Sequence, residues 1–120
     1  DLSLVALAEG EVIASVRMTR VKIGDADALL LGPLAVRPSF KNRGIGRHIL
    51  KMSVEAARRA GHALVVLVGD EPYYGPLGFR QVPQKQMKFP APVDLCRILY
   101  LELKGGAAAE AAGEIRHAGA

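Results

Sequence analysis

The first part of the chain alternates between hydrophobic and polar positions. Two such segments lie between Leu2 and Ile23 and meet at Glu9-Gly10, where a glycine supplies the positive φ that a tight turn requires. In the second segment one strand face is more polar than the other, because it carries Ser15, Arg17 and Thr19. The pattern predicts a β-hairpin.

An apolar run follows a turn at Gly24–Asp27 and extends from Ala28 to Val36. The run is interrupted by Gly32-Pro33. Because proline lacks the N–H group that a sheet requires, it marks an edge strand, a bulge or a point where strand pairing stops. The run therefore predicts a strand with a local irregularity at its middle.

The hydrophobic period changes to that of a helix at Ile45. Apolar and small side chains then share one helical face, and Gly61 stands where a helix C-cap is expected. That face consists of Ile45, Ile49, Met52, Ser53, Ala56 and Ala60. The uninterrupted apolar segment Ala63–Val68 is typical of a strand buried on both faces. Strand, glycine turn, helix and buried strand together predict a βαβ unit with a right-handed crossover.

The rest of the chain carries weaker patterns. A short helix is expected within Asp70–Leu77, and two last strands within Phe79–Val82 and Arg97–Lys104, separated by a proline-containing loop. The segment after Lys104 is rich in alanine and glycine and has little periodicity. The sequence therefore predicts one domain over residues 1–104 and a tail over residues 105–120.

Basic side chains are concentrated around the glycine turn. The 120-residue chain has a formal net charge of +4. The segment from Arg37 to Arg59 contains seven Lys/Arg residues and a single acidic residue, Glu55. Such a cluster is usually a solvated helix face, but next to a glycine turn it is also compatible with a polyanionic ligand. Three Phe, three Tyr and no Trp leave few rings to stack on bases, which disfavours nucleic-acid binding.

Several other classes of function are disfavoured by composition. A single cysteine, Cys96, excludes an intrachain disulfide and a cysteine-rich zinc site, and His48, His62 and His117 lack the spacing of metal ligands. No signal peptide is visible, and no apolar run approaches the ~20 residues of a membrane span. We therefore expect a cytoplasmic protein with no metal, nucleic acid or membrane as partner.

The glycine turn itself has the features of an anion site. At the start of a helix the free N–H groups and the positive end of the macrodipole favour negative charge. Gly44 and Gly46 let a phosphate approach the backbone, and Lys41, Arg43 and Arg47 add positive charge. Two common phosphate-binding motifs do not fit. The P-loop requires Lys-Ser/Thr where Arg47-His48 stands, and a dinucleotide fingerprint requires glycine at Ile49.

Three segments together resemble the GNAT superfamily of acyl-CoA-dependent N-acetyltransferases. Lys41-Asn42-Arg43-Gly44-Ile45-Gly46 is similar to the family's Gln/Arg-x-x-Gly-x-Gly/Ala signature, with lysine in place of the usual first residue. Leu34-Ala35-Val36, followed by Pro38, is similar to the preceding strand. Tyr74-Gly75-Pro76-Leu77-Gly78-Phe79 is similar to the family's Tyr-x-x-x-Gly-Phe. The resemblance covers roughly Leu2 to Lys104.

The resemblance implies an α/β fold (α+β in some schemes). We expect a central mixed, mostly antiparallel sheet with a splayed parallel strand pair and a long crossover helix. It also implies that the chain begins at the family's second strand, without the usual first strand and two helices. Acetyl-CoA would be the co-substrate, with no metal. Backbone groups of Leu34, Ala35 and Val36 would hold its pantetheine arm, and the N–H groups from Lys41 to Arg47 its pyrophosphate.

By the same resemblance, Tyr74 protonates the departing CoA thiolate. A primary amine of a small-molecule or peptide acceptor would attack the thioester directly, and the N–H of Val36 or a neighbour would stabilise the oxyanion. Many family members carry a glutamate before the glycine loop, but Ala28–Leu34 holds no carboxylate, so the general base is unassigned. We expect Asp70 to be a helix N-cap and Tyr73 to be a core residue.

Two alternative functions of the whole protein stay open, as does its oligomeric state. A catalytically silent acyl-CoA-binding or regulatory module is compatible with the missing strand carboxylate, whereas Tyr74 argues against it. A basic nucleic-acid-binding domain is a weaker alternative, because the phosphates of one cofactor account for the basic cluster. A homodimer is compatible with the sequence but has no motif of its own.

Overall fold

The computed structural model describes residues 2–41, 43–83, 86–88 and 97–117. Its strands are β1 (Leu2–Ala8), β2 (Glu11–Ile23), β3 (Ala26–Val36), β4 (Leu64–Val68), β5 (Arg80–Gln81), β6 (Met87–Lys88), β7 (Ile98–Glu102) and β8 (Gly113–His117). Its helices are α1 (Ile45–Arg59) and α2 (Glu71–Tyr74), with 3-10 turns at Pro38–Phe40, Gly75–Leu77 and Ala108–Glu110.

The strands form one mixed sheet in the order β5-β7-β4-β3-β2-β8-β6, and β1 also pairs with β2. Strands β3 and β4 are parallel, as are β6 and β8, whereas the other pairings are antiparallel. The predicted fold class is therefore confirmed. The predicted hairpin is β1–β2, which turns at Glu9 (φ 52°) and Gly10 (φ 82°).

The proline in β3 forms a bulge, which was one of the three alternatives. Val16 of β2 lies opposite Leu34, but Met18 lies opposite Leu31, so that Arg17 faces both Gly32 and Pro33. Because the bulge takes up the residue without an N–H group, pairing between β2 and β3 continues on both sides of it.

The parallel pair separates soon after it forms. β3 and β4 are in register only at Leu29–Val65 and Leu30–Val66. Beyond these residues β3 continues to pair with β2, and β4 continues to pair with β7 as far as Val68. The carboxyl-terminal halves of β3 and β4 therefore diverge and leave a gap in the sheet.

Helix α1 packs on one face of the sheet beside this gap. Its larger buried side chains are Ile49, Leu50 and Val54, which join a core cluster with Met18 and Leu29. The predicted apolar face was partly wrong, because Met52 is exposed and Leu50 and Val54 are buried instead. Ala60 of the predicted face is exposed as well. The larger branched side chains therefore decide which face of the helix is buried.

The alanine- and glycine-rich segment after Lys104 contributes to the fold. Strand β8 pairs with the end of β2 and with β6, and Ala108, Ala111 and Ile115 are buried in a second core cluster. The hydrophobic periodicity of the segment after Lys104 is too weak to predict strand β8. The proposed domain boundary at Lys104 stays a prediction.

We expect Gln86→Ala to lower the free energy of unfolding by about 1–3 kcal/mol, because the Gln86 side-chain nitrogen donates to the carbonyl oxygens of Ala108 (2.7 Å) and Ala111 (2.8 Å). Losing this donor takes a hydrogen bond from both carbonyl groups, and within the described residues the Ala108 carbonyl then keeps only its bond from the N–H of Ala111 (3.2 Å). Urea unfolding measures the change. Gln81→Ala, at an exposed position of β5, is the control and should change stability by less than about 0.5 kcal/mol. Equal effects of the two substitutions would contradict the role of Gln86.

Candidate active site

A cleft of about 870 Å³ occupies the gap between the diverging ends of β3 and β4. One wall is formed by the end of β3, the other by the residues after β4 and by α2, and the start of α1 closes one end. The lining residues are Leu34, Ala35, Val36, Phe40, Lys41, Gly44, Ile45, Gly46, Arg47, Val68, Gly69, Asp70, Tyr73, Tyr74 and Arg97.

The β3 wall offers a free strand edge. Leu34, Ala35 and Val36 pair with β2 on one side. On their other side no strand pairs with them in the part of the chain that the structure describes, because the register with β4 ends at Leu30. Backbone N–H and C=O groups on that side are therefore available to an extended ligand, as at any open sheet edge.

The start of α1 offers free donors at the end of the cleft. Gly44 adopts the left-handed conformation (φ 77°) and has no side chain to cap the helix. The N–H of His48 makes the first helical bond, to the Gly44 carbonyl at 3.0 Å, so the N–H groups of the three residues before it precede the helical ladder. The first turn holds no acidic residue. The exposed Lys41 and Arg47 stand at the same end, so the cleft end favours anions.

Tyr74 is held against the opposite wall. Its ring packs on Gly69, where an added Cβ would lie 2.4 Å from Cε2 of Tyr74. It also meets the Phe79 ring edge-on, with the centroids 5.9 Å apart. Burial raises the pKa of Tyr74 above its ordinary value of 10.0, and nearby Tyr73 and Asp70 act in the same direction. The phenol is therefore protonated at neutral pH and can donate a proton.

Asp70 starts α2, as predicted, but its carboxylate does not cap the helix. The Asp70 carbonyl accepts hydrogen bonds from the N–H groups of Tyr73 (3.0 Å) and Tyr74 (3.2 Å), whereas the side chain makes no cap bond. Pro72 removes one of the two N–H groups that a cap side chain can accept from. The carboxylate instead pairs with Arg97, with Oδ1 3.3 Å from Nε, and both residues line the cleft.

Tyr73 packs against the core cluster that contains Met18 and Leu29, but it also reaches the cleft. It is only partly buried and lines the cleft, where its ring meets Tyr74 edge-on at a centroid distance of 5.0 Å. The Arg47 guanidinium carbon lies 4.8 Å from the centre of the Tyr73 ring. The sequence signal for the contact between Tyr73 and Tyr74 was their adjacency on a short helix. Arg97 had no local signal, because only the β4–β7 pairing brings it to the cleft.

Most of the predicted site residues lie together. Leu34, Ala35, Val36, Lys41, Gly44, Ile45, Gly46, Arg47 and Tyr74 all line the cleft. Arg43 does not line it, and its guanidinium lies 5.4 Å from the centre of the Phe40 ring. Asn42 lies outside the described residues, as does Cys96. The roles of these residues stay predictions.

The sequence also matches a known family. A sequence model of the GNAT acetyltransferase domain matches residues 1–81, which is more than half of the chain. The chain belongs to the GNAT acetyltransferase family. The match includes the strand, glycine turn, helix and tyrosine motif described above, and it confirms the resemblance drawn from them.

Two curated relatives of this GNAT chain come from Escherichia coli. The uncharacterized N-acetyltransferase YjhQ of strain K12 is 34% identical over 82 residues, which are 65% of this chain and 45% of the relative. The uncharacterized N-acetyltransferase YhbS is 33% identical over 73 residues, which are 59% of this chain and 44% of the relative. The chain therefore spans less than half the length of these two relatives.

Solved GNAT structures share the fold. Escherichia coli YhbS in complex with CoA superposes with a TM-score of 0.87 at 24% identity, covering 97% of this chain and 66% of that one. A GNAT acetyltransferase from Brucella melitensis in complex with acetyl-CoA has a TM-score of 0.76 at 27% identity. This match covers 98% of the present chain and 66% of the Brucella chain. The YhbS likeness shows the fold alone.

Three expected absences concern localisation and partners. Within the described residues no helix is both long and apolar enough to cross a membrane. In the same residues no three His, Cys, Asp or Glu side chains are grouped to hold a metal ion. The cytoplasmic location, the absence of a metal and of nucleic-acid partners, and the possible homodimer stay predictions.

Proposed function

We propose that this GNAT chain transfers an acetyl group from acetyl-CoA to a primary amine of a small-molecule or peptide acceptor. The observation that carries the proposal is one cleft that combines a free strand edge, free N–H donors at a helix start and a protonated tyrosine. These are the groups needed to hold an extended thioester, to bind its phosphates and to protonate its leaving sulfur.

Acetyl-CoA is expected to lie along the cleft with its pyrophosphate at α1. The N–H groups of Ile45, Gly46 and Arg47 would donate to the phosphate oxygens, and the side chains of Lys41 and Arg47 would supply charge. The pantetheine arm would pair with the open edge at Leu34–Val36, in the manner of an added strand. Asn42 and Arg43 remain candidates from the sequence alone.

In the reaction, the lone pair of the acceptor amine attacks the thioester carbonyl and forms the new C–N bond. The N–H of Val36 or a neighbouring strand residue stabilises the oxyanion. Collapse of the tetrahedral intermediate breaks the C–S bond, and the Tyr74 hydroxyl gives its proton to the sulfur. The nitrogen loses one proton to solvent, and the Tyr74 phenolate takes one proton from solvent, so the products are the amide and free CoA thiol.

Release of CoA thiol from acetyl-CoA, measured with a panel of primary amines, tests the proposal. We expect release that depends on both the protein and one of the amines, with the acetyl group recovered on that amine by mass spectrometry.

A catalytically silent acyl-CoA-binding module is the second candidate. It is favoured by one observation: the only carboxylate that lines the cleft in the described residues, Asp70, is paired with Arg97. Tight acetyl-CoA binding without thiol release for any amine would support that candidate.

Binding of CoA should weaken as the salt concentration rises. Much of the expected attraction is between phosphates and the exposed Lys41 and Arg47, and such interactions are screened over about 10 Å at 0.1 M salt. Lys41→Ala should reduce the salt dependence, whereas Lys51→Ala, an equal charge change outside the cleft, should not. Dephospho-CoA should bind less tightly if a basic side chain also reaches the ribose phosphate. Calorimetry at several salt concentrations measures these effects, and salt-independent affinity would contradict a phosphate-binding cleft.

A further inference from the structure

Three residues at the end of the cleft fit against one another. Arg47 projects from the first turn of α1, and its guanidinium lies over the ring of Tyr73 on α2, 4.8 Å from the ring centre. Gly46 precedes Arg47 and is buried beneath the same tyrosine. An added Cβ at Gly46 would lie 2.9 Å from the Tyr73 hydroxyl oxygen and 3.3 Å from Cγ2 of Val36.

The Arg47 guanidinium contacts this ring and has no ion-pair partner within the described residues. Arg47 is exposed. An exposed arginine has many rotamers, and fixing it on a ligand costs conformational entropy. A guanidinium that lies over an aromatic ring interacts with it through its flat face. Its N–H groups point outward in the plane of the guanidinium, so they can still donate to a phosphate.

We propose that Tyr73 is a positioning residue for the anion end of the cleft: it holds the Arg47 guanidinium ready for the pyrophosphate of CoA. This inference rests on the proposed function, because it requires CoA phosphates at the start of α1. It assigns Tyr73 a role that neither the catalytic proton nor the hydrophobic core requires. It also accounts for glycine at position 46, where a larger residue would displace the ring.

A double-mutant cycle tests the link between Tyr73 and Arg47. The affinity for CoA is measured by calorimetry for the wild-type chain, Arg47→Ala, Tyr73→Leu and the double variant. We expect losses of about tenfold for Arg47→Ala and about threefold for Tyr73→Leu. The double variant should lose only about tenfold, since the ring acts through the arginine. Tyr73→Phe keeps the ring and should keep the affinity within about twofold.

Acetyl-pantetheine separates positioning from a general disturbance of the cleft. It lacks the pyrophosphate, so its affinity should be the same for the wild-type chain, Arg47→Ala and Tyr73→Leu. A double variant that loses about thirtyfold, the product of the single effects, would overturn the proposal. Equal losses for CoA and acetyl-pantetheine in Tyr73→Leu would also overturn it, because they would indicate a collapsed cleft.

A compensating pair provides a second test. Gly46→Ala should weaken CoA binding about threefold, as Tyr73→Leu does, because the new methyl group pushes the Tyr73 hydroxyl and its ring away from Arg47. Gly46→Ala combined with Tyr73→Phe removes that oxygen and should recover most of the loss. No recovery, in a variant whose thermal unfolding is unchanged, would contradict the proposal.

Failure of the proposed function has a different outcome. If the wild-type chain binds neither CoA nor acetyl-pantetheine, the proposed function is wrong and the inference is wrong with it. If the wild-type chain binds CoA but the two variants act independently, only the role of Tyr73 is wrong.

Discussion

Tyr74→Phe is expected to lower the maximal rate of acetyl transfer about 100-fold and to leave the affinity for acetyl-CoA nearly unchanged. General acids contribute about 10²–10⁴-fold, and the lower end applies because a CoA thiol should have a pKa near the ~8.5 of free cysteine and leaves tolerably well as the thiolate. The substitution removes one hydroxyl and keeps the ring on Gly69 and Phe79. Steady-state rates and calorimetry separate the two effects.

Tyr100→Phe is the matched control for this prediction. Tyr100 is also partly buried, but it lies on β7 and packs with the second core cluster, not in the cleft. The Tyr100→Phe variant should transfer acetyl groups at a rate within about twofold of wild type. A Tyr74→Phe variant as fast as the parent, with a true acceptor and chemistry limiting the rate, would remove Tyr74 from the mechanism.

Gly44→Val is expected to weaken acetyl-CoA binding at least about 100-fold. No protein atom lies within 4 Å of the position where a Cβ would stand. Because Gly44 lines the cleft at the start of α1, we expect the valine methyl groups to take up space that the pyrophosphate requires. The φ of 77° adds backbone strain for a β-branched residue. Calorimetry measures the affinity, and circular dichroism reports whether the fold is retained.

Gly61→Val controls for the backbone strain. Gly61 follows the other end of α1, also has a positive φ (89°), and likewise has no atom within 4 Å of an added Cβ, but it does not line the cleft. Both substitutions should lower stability by a similar amount, of the order of 1–3 kcal/mol. Only Gly44→Val should weaken acetyl-CoA binding about 100-fold or more. Equal acetyl-CoA affinity in the two folded variants would exclude the start of α1 as the phosphate site.

Local patterns were sufficient for the elements that form the cleft. The hairpin turn at Glu9-Gly10, the bulge at Gly32-Pro33 and the start of α1 after Gly44 each depend on residues close in sequence. Glycine conformational freedom and the missing proline N–H act at their own positions, so a single sequence carries these signals. The end of β3 and the turn into α1 supply most of the residues that line the cleft.

Features that depend on tertiary contacts were not predictable. Strand β8 has five residues and is held by pairing with β2 and β6, which its own composition does not indicate. Arg97 reaches the cleft through the β4–β7 register, and its ion pair takes the Asp70 carboxylate that was expected to cap α2. The position of Tyr73 between the core and the cleft depends on the packing of α2 beside Gly46.

A crystal structure of the chain with acetyl-CoA is the decisive test of this cleft as the site of acetyl transfer. We expect pyrophosphate oxygens within hydrogen-bond distance of the N–H groups of Ile45, Gly46 and Arg47, and the pantetheine arm along Leu34–Val36. The thioester sulfur should lie within reach of the Tyr74 hydroxyl. Acetyl-CoA bound elsewhere, for example in the second cleft beside Arg20 and His62, or with its sulfur turned away from Tyr74, would contradict the account.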